Sequence, residues 1–474
     1  MDCILLKYIL AFCKKIHLLS VKIMIIYIQV CKQETHGRVV SPLNLKKDGY
    51  LPRVIDSKIE ESLELFSAVS VEGPKWCGKT WSSLAHANSV NYIMDPARGY
   101  SNRERARLNP VLALDGAYPR LIDEWQEVPG IWDAVRFTVD QEPGAGKFIL
   151  TGSVTPLRDA YIHSGTGRFA IIRMRPMCLY ESGDSTAVLS FGDLFHGEHI
   201  TPFSADLDLH RLIDITIRGG WPETLRLPIE RAGRISDEYM NTIIKNELFD
   251  DSFSRRNRQK LRALLRALAR NNATLVNINT LSLDIDGTAR TMQDSDEIKI
   301  SRQTTADYID DLKRIFVIEE INGWSPGVRS KTRIRMAPKR IFADPSLAIA
   351  ALGLTRERLS HDLNTFGFMF ENLCLRDLAV YAEFHGGTVY HYRDNSNTEI
   401  DAVVEMTDGS WGAFEVKLGE HQVDEAAKKL RSVCNKLTAN GARKPACKCI
   451  ITGGGYGRLR EDGVYVVPIN ALRP

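Results

Sequence analysis

One octapeptide limits the folds open to this chain more than any other stretch: Gly73-Pro74-Lys75-Trp76-Cys77-Gly78-Lys79-Thr80. It follows a short apolar run, 66–71, and precedes a segment of helical pattern, 81–87. A glycine-rich loop between strand and helix, ending in Gly-Lys-Thr, fits the phosphate-binding pattern GxxxxGK[ST]. Gly73 and Gly78 let successive backbone N–H groups turn inward around an anion, and the helix start adds the positive end of its dipole. Lys79 brings a point charge for the β- and γ-phosphates, and the Thr80 hydroxyl suits a Mg²⁺ ligand. An ordinary glycine turn would need neither Lys79 nor Thr80. The loop therefore predicts nucleotide binding, with ATP and Mg²⁺ as the expected ligands.

Two later strands supply what such a loop needs. Leu121-Ile122-Asp123-Glu124 is an apolar strand ending in two adjacent acids. Asp123 is expected to hold the metal through its water shell, and Glu124 to polarise the attacking water. Alone, an Asp-Glu pair is more often a helix cap or surface charge; its place after the glycine loop gives it meaning. The run 147–153 ends in hydroxyls, and ligands of parallel sheets lie beyond the carboxyl ends of strands. Thr151 or Ser153 is thus either a γ-phosphate sensor or an ordinary strand exit. In 163–168, Arg168 follows two glycines and is read either as an arginine finger or as a loop pin, with Arg173 and Arg175 as secondary candidates.

A chain of 474 residues exceeds one ordinary core, and two or three domains are expected. The net charge of +3 neither demands nor excludes nucleic acid. Nine cysteines at irregular spacing, without a CxxC pair, suit reduced thiols in the cytoplasm. Cys447 and Cys449 alternate along an expected strand and read as core. Residues 1–48 stand apart. Their apolar runs are too short for a stable membrane insertion, and they read as an interfacial helix, a weak anchor or, preferably, sequence upstream of the true start.

Taken together, GPKWCGKT (73–80), LIDEWQEVP (121–129) and FILTGS (148–153) with GTGR (165–168) resemble a large family of prokaryotic AAA-type ATPases. Members pair the ATPase with a C-terminal domain of unknown function. Arg218-Gly-Gly-Trp-Pro-Glu223 is similar to the Gly-Gly-Phe/Trp-Pro-Glu element that closes the family's ATPase portion. The expected organisation is α/β: an AAA-type P-loop NTPase domain at 49–225, a helical or winged-helix segment at 226–335, and a C-terminal α/β restriction-endonuclease-like domain at 336–474.

In the middle segment, 254–270 carries an apolar face of Leu261, Leu264, Leu265 and Leu268, and Arg255, Arg258, Arg262 and Arg266 on another. Such a stripe either tracks phosphates or is a solvated face. Ser301 is expected to cap a helix that precedes a strand at 316–321. Helices followed by a β-wing suggest a winged helix, which either binds DNA or joins two domains; few basic residues favour the joining role.

Near the C-terminus, Asp401 lies on one strand, and Glu415 and Lys417 on the next. Positions i and i+2 of a strand share a face, so Glu415 and Lys417 should point into one site. With Glu371 on the preceding helix, the set resembles the PD-(D/E)XK nuclease core, in which acids hold Mg²⁺ and the lysine positions water. Gln422 is a looser match, and the proline usual before the first acid is absent. The domain is either an ATP-gated nuclease on DNA or RNA, or a fold that binds nucleic acid or protein without cutting. A homo-oligomer is expected if Arg168 acts across subunits.

Overall fold

The computed structural model describes residues 45–474 apart from 98, 157–164, 199, 206, 248–256, 292–299, 328–335 and 395. The N-terminal readings on residues 1–44, the sensor-loop residues His163 and Ser164, and Arg255 of the basic stripe lie outside the described residues.

Helix α1 (Ile55–Leu65) leads into the first sheet. Its strands are Ala68–Glu72 (β1), Ser89–Tyr92 (β2), Arg120–Asp123 (β3), Phe148–Gly152 (β4) and Phe169–Arg173 (β5), ordered β2-β3-β4-β1-β5 with every pairing parallel. β1, β3 and β4 are nearly unbroken buried runs, as a sheet covered on both faces requires. Helices α2 (Lys79–Ala85), α3 (Ser101–Leu108) and α4 (Gly130–Gln141) fill the crossovers. One face packs Ile122, Phe148 and Leu150 against Trp125 and Trp132. The other buries Val69, Leu121 and Ile149 in a core continuous with the rest of the chain. Because β1 and β3 run parallel and end together, the glycine loop and the acids of β3 emerge at one edge.

The next stretch belongs to two neighbourhoods. Leu189–Ser190 (β6) precedes α5 (Phe191–His196) and Phe203–Ala205 (β7). β6 pairs with the last strand of the chain, and β7 is an edge of the C-terminal sheet. The expected 49–225 segment therefore contributes strands to more than one sheet. Helices α6 (Leu209–Arg218) and α7 (Ile229–Thr242) follow.

Three helices then form the middle: α8 (Arg258–Arg270), α9 (Ile278–Thr291) and α10 (Arg302–Arg314), the last capped by Ser301 Oγ on the Thr304 amide at 3.1 Å. Ile318–Ile321 (β8) and Lys339–Phe342 (β9) pair antiparallel, and Thr274, between α8 and α9, bridges Arg340. The apolar face of α8 is buried, with Leu261, Leu264, Leu265 and Leu268 inside.

After α11 (Pro345–Leu352) and α12 (Arg356–His361) comes the 22-residue α13 (Leu363–Phe384). Strands β10 (Gly387–Arg393), β11 (Glu399–Met406) and β12 (Trp411–Lys417) form an antiparallel meander, α14 (Val423–Ala439) crosses over, and β13 (Cys447–Thr452) returns parallel to β12. With β14 (Gly455–Leu459) and β15 (Tyr465–Pro468), the sheet order is β10-β11-β12-β13-β15-β14-β7; Leu472–Arg473 (β16) pairs with β6. Cys447 and Cys449 are buried in its core, with all six cysteines of the described residues buried and free.

A buried charge cluster stitches the halves together. Arg376 of α13 bonds Asp344 and Asp377, each at 2.7 Å. Asp344 also accepts the Gly220 amide and Asp377 the Leu179 amide, both at 2.9 Å. Gly220 has no room for a side chain, since a Cβ there would lie 2.1 Å from the Met177 carbonyl oxygen. The Gly-Gly-Trp-Pro-Glu element is thus a seam, with Trp221 Nε1 donating to Ser346 at 3.0 Å. Residues 45–474 form one compact unit.

Candidate functional site

The glycine loop leaves β1 and enters α2 through Gly78, whose φ of +104° is left-handed and suits glycine. Gly73 is held as tightly: a Cβ would stand 2.1 Å from the Met174 carbonyl oxygen. Lys79 is buried, and its Nζ lies 2.9 Å from the Pro74 carbonyl oxygen, folded across its own loop. Trp76, at φ +67°, is exposed and meets Tyr239 of α7 edge-on at 6.0 Å between centroids.

Asp123 is the hub beside this loop. Its Oδ1 accepts Thr80 Oγ1 at 2.8 Å and Thr151 Oγ1 at 2.6 Å. Burial pushes the Asp123 carboxyl above its ordinary value, while these two hydroxyl bonds favour the ionised form. The hard oxygen pair of Thr80 and Asp123, held 2.8 Å apart, fits Mg²⁺ in donor type and spacing. Glu124, at φ +58°, turns the other way: its carboxylate accepts Ser153 Oγ at 2.8 Å and the Gln126 side-chain amide. Thr151 Oγ1 also receives the Glu124 amide at 3.2 Å. The two hydroxyls at the end of β4 therefore divide their work, Thr151 orienting the metal acid and Ser153 the water-polarising acid.

Other residues escaped the sequence reading. A cleft of about 550 Å³ opens over the loop, with Gly49, Tyr50 and Leu51 on one side and Pro222, Glu223 and Arg226 on the other. That volume suits a nucleotide-sized ligand. The base side of the cleft thus comes from segments flanking the domain, which no local motif announces. Arg53 is buried against the loop: it donates to the Cys77 carbonyl at 2.6 Å and the Arg175 carbonyl at 2.8 Å, and lies 3.0 Å from Glu181.

Arg168 is not brought to the loop of its own chain. It precedes β5, where the Ala68 amide bonds its carbonyl, while the loop follows the other end of β1. A five-residue strand separates the two edges by about 15 Å. Its exposed guanidinium bonds Asp140 at 2.6 Å. Arg173 and Arg175 stand at the correct edge and face elsewhere: both bond Glu319 of β8, at 3.3 and 3.1 Å, and Arg175 also bonds Glu383 of α13 at 2.9 Å.

A second charged cluster lies in the C-terminal sheet, where Glu371, Asp401, Glu415 and Lys417 meet. Lys417 Nζ is 2.9 Å from Glu415 and 3.7 Å from Asp401, whose other contact is the Val416 amide at 2.8 Å. Two lysines not anticipated from sequence join them: Lys339 of β9 at 2.6 Å from Glu371, and Lys429 of α14 at 3.2 Å from Glu415. Burial drives the Glu371 carboxyl up to about 7 against the pull of Lys339, and raises Glu415 as well, with Asp401 adding repulsion. Burial opposes the charge of Lys417, yet Asp401 and Glu415 keep its ammonium above the ordinary value. Glu415 Oε2 is buried without a hydrogen-bond partner. The donors are the hard oxygens that Mg²⁺ takes, but ammonium groups now stand among them. Among the described residues, Asp193, His196 and Glu198 form the group whose potential ligand atoms all lie within 4.8 Å of one another; the three nuclease-like acids are spread wider. Gln422 is spent on its own turn, accepting the Gly419 amide at 3.2 Å.

Of the basic stripe on α8, Arg258 donates to the Lys245 carbonyl at 3.0 Å, and Arg262 is exposed. No helix among the described residues is long and apolar enough to cross a membrane.

Comparison with known proteins agrees with the first site and leaves the second open. Residues 66–182 match the family described as AAA domain, residues 209–358 a domain of unknown function (DUF8612), and residues 366–472 another (DUF4143). The uncharacterized proteins Rv2008c of Mycobacterium tuberculosis and Mb2031c of Mycobacterium bovis are each 24% identical over 365 residues, covering 76% of this chain and 72% of theirs. Among solved structures, the Walker-type ATPase PABY2304 of Pyrococcus abyssi aligns at 15% identity and a TM-score of 0.39, covering 66% of this chain and 98% of its own. The RuvB Holliday junction branch migration motor of Thermotoga maritima aligns at 15% identity and a TM-score of 0.25, covering 65% of this chain and 93% of its own. The loop, the acids and the parallel sheet of residues 66–182 are those of an AAA-type P-loop domain.

Proposed function

We propose that this chain is a Mg²⁺-dependent ATPase whose nucleotide state controls a C-terminal, nucleic-acid-associated domain. The observation that carries the reading is the hub at Asp123, where the loop threonine and the Thr151 hydroxyl share one carboxylate oxygen beside the poised Glu124. When bound, Mg²⁺ bridges phosphate oxygens and neutralises the charge that develops on them. The chain's own residues do the rest. Backbone amides of 73–80 and Lys79 grip the phosphates, Glu124 orients and polarises the water, and Ser153 and Gln126 hold Glu124 in place. Arg168 serves a neighbouring copy, because its position at the opposite edge of the sheet keeps it from its own loop. The buried free thiols suit a reducing, cytoplasmic setting.

The middle of the chain is read as a winged helix. Its support is the order helix, bridge residue Thr274, two helices and an antiparallel pair, with Thr274 joined to the second strand of that pair. The last domain is read as PD-(D/E)XK-like, on the order helix, three-strand meander, helix and parallel strand, with Glu371, Asp401, Glu415 and Lys417 converging from α13, β11 and β12. The ammonium-paired acids favour a domain that is quiet in the nucleotide-free form over a constitutively active nuclease.

ATP turnover with Mg²⁺ tests the first claim. Lys79→Ala should abolish binding and turnover, and Glu124→Gln should retain ATP binding while losing turnover by about 10²–10⁴-fold. Parent-like hydrolysis by both variants would remove the assignment.

A further inference from the structure

We infer that Lys339 is a tethered cation occupying the C-terminal acid site, exchanged for a divalent metal when the nucleotide loop moves. The inference rests on reading that site as metal-binding. Lys339 is buried, and its ammonium lies between elements: 2.6 Å from Glu371 on α13 and 3.3 Å from the Asp401 carbonyl on β11. Three carboxylates face three ammonium groups, those of Lys339, Lys417 and Lys429. The cluster is therefore neutral as it stands, and a dication added to it would meet an unfavourable field and a crowded space. Withdrawing Lys339 leaves one net negative charge and frees a Glu371 oxygen. Lys417 and Lys429 are different in kind, since both belong to the domain itself and bond the same oxygen of Glu415.

Lys339 is the cation that arrives from another module. It opens β9, which pairs with β8 so that Lys339 stands opposite Ile321 and Ile341 opposite Glu319. Glu319 is gripped by Arg173 and Arg175, immediately after the strand that flanks β1. The Arg175 carbonyl takes Arg53, which also holds the Cys77 carbonyl inside the phosphate loop. Phosphate binding, by rearranging the loop, shifts Arg53 and Arg175 and with them the β8–β9 pair that carries Lys339. Each contact in this path is direct, and Glu319 is the point at which the ATPase and the middle module share a charge.

The test is Mn²⁺ binding to the full chain, followed by the loss of the free-ion electron paramagnetic resonance signal, without nucleotide. Lys339→Ala and Lys339→Gln should bind Mn²⁺ about tenfold or more tightly than the parent, since one unit charge is removed beside the site. Lys339→Arg should bind like the parent. Adding Asp401→Asn to Lys339→Gln should abolish the gain. Saturation of the parent with a non-hydrolysable ATP analogue should expose a second class of Mn²⁺ site beyond the one at the nucleotide. Equal affinity in the parent and both neutral variants would overturn the exchange while leaving the acid site a metal site. Absence of Mn²⁺ at Asp401 in every form would instead remove the metal reading on which the inference rests. A second site that ignores the analogue would overturn the link to the loop. Lys339→Gln keeps a donor for Glu371, so a folding defect confined to Lys339→Ala does not block the comparison.

Discussion

Replacing Arg53 by methionine tests whether the phosphate loop is held from behind by a buried charge. The guanidinium side chain is 4% exposed and its partner Glu181 2%, so neither gains solvent when the other is lost. The loss includes hydrogen bonds to the Cys77 and Arg175 carbonyls at 2.6 and 2.8 Å. Glu181 keeps two backbone donors, Val54 at 2.7 Å and Cys178 at 2.9 Å, which soften its isolation. Breaking one side of such a pair costs about 3–5 kcal/mol, and the two retained amides place Arg53→Met near ~3 kcal/mol on that scale. Glu181→Gln strands the arginine charge and should also destabilise. The double variant should be less damaging than the sum of the two by about 2 kcal/mol, the mark of a direct pair. Urea unfolding followed by tryptophan fluorescence measures all four corners of the cycle. Nucleotide affinity of folded Arg53→Met should fall too, because the Cys77 carbonyl loses its tether. A loss below about 1 kcal/mol, or strictly additive variants, would refute the buried-pair argument.

Thr151→Val should keep nucleotide binding and lower turnover by about 10–100-fold, since it removes the orientation of both acids, while Thr151→Ser should recover most of it; steady-state ATPase assays decide. Arg168→Ala and Lys79→Ala should each be inactive alone and recover part of the turnover when mixed, because one copy supplies the arginine and the other the intact loop; mixtures without recovery count against action between copies. His391 is held neutral: burial first, then Lys339 and Arg393, lower its value from 6.5 to about 4, with the Ala337 carbonyl opposing. Because the folded value lies below the unfolded one, stability is intact above pH 6.5 and falls as the pH drops through 6.5 toward 4. The full effect is about 3 kcal/mol, and His391→Gln should flatten the dependence of the urea midpoint on pH.

What was legible in the sequence was whatever chemistry is local. A glycine loop between strand and helix, two acids ending an apolar strand, and hydroxyls ending the next are recognisable because backbone geometry and periodicity act over a few residues. The same locality made Ser301 readable as a cap and the leucines of α8 as a buried face. Tertiary packing decided the rest. Arg168 looked like an arginine beside the phosphates, yet the direction of β5 carries it to the far edge of the sheet. Arg173 and Arg175 sit at the right edge and are claimed by Glu319 and Glu383, residues remote in sequence. Strand β7 precedes the middle of the chain yet edges the last sheet, because that edge offered unpaired backbone donors and acceptors. Lys339 and Lys429 were invisible among ordinary surface lysines until the fold set them against buried carboxylates. Sequence determined that this chain grips a phosphate with a lysine, a threonine and two acids, because those groups are neighbours along short segments. Only the folded structure decided which distant charges face one another, since ion pairing across modules depends on packing that no local pattern records.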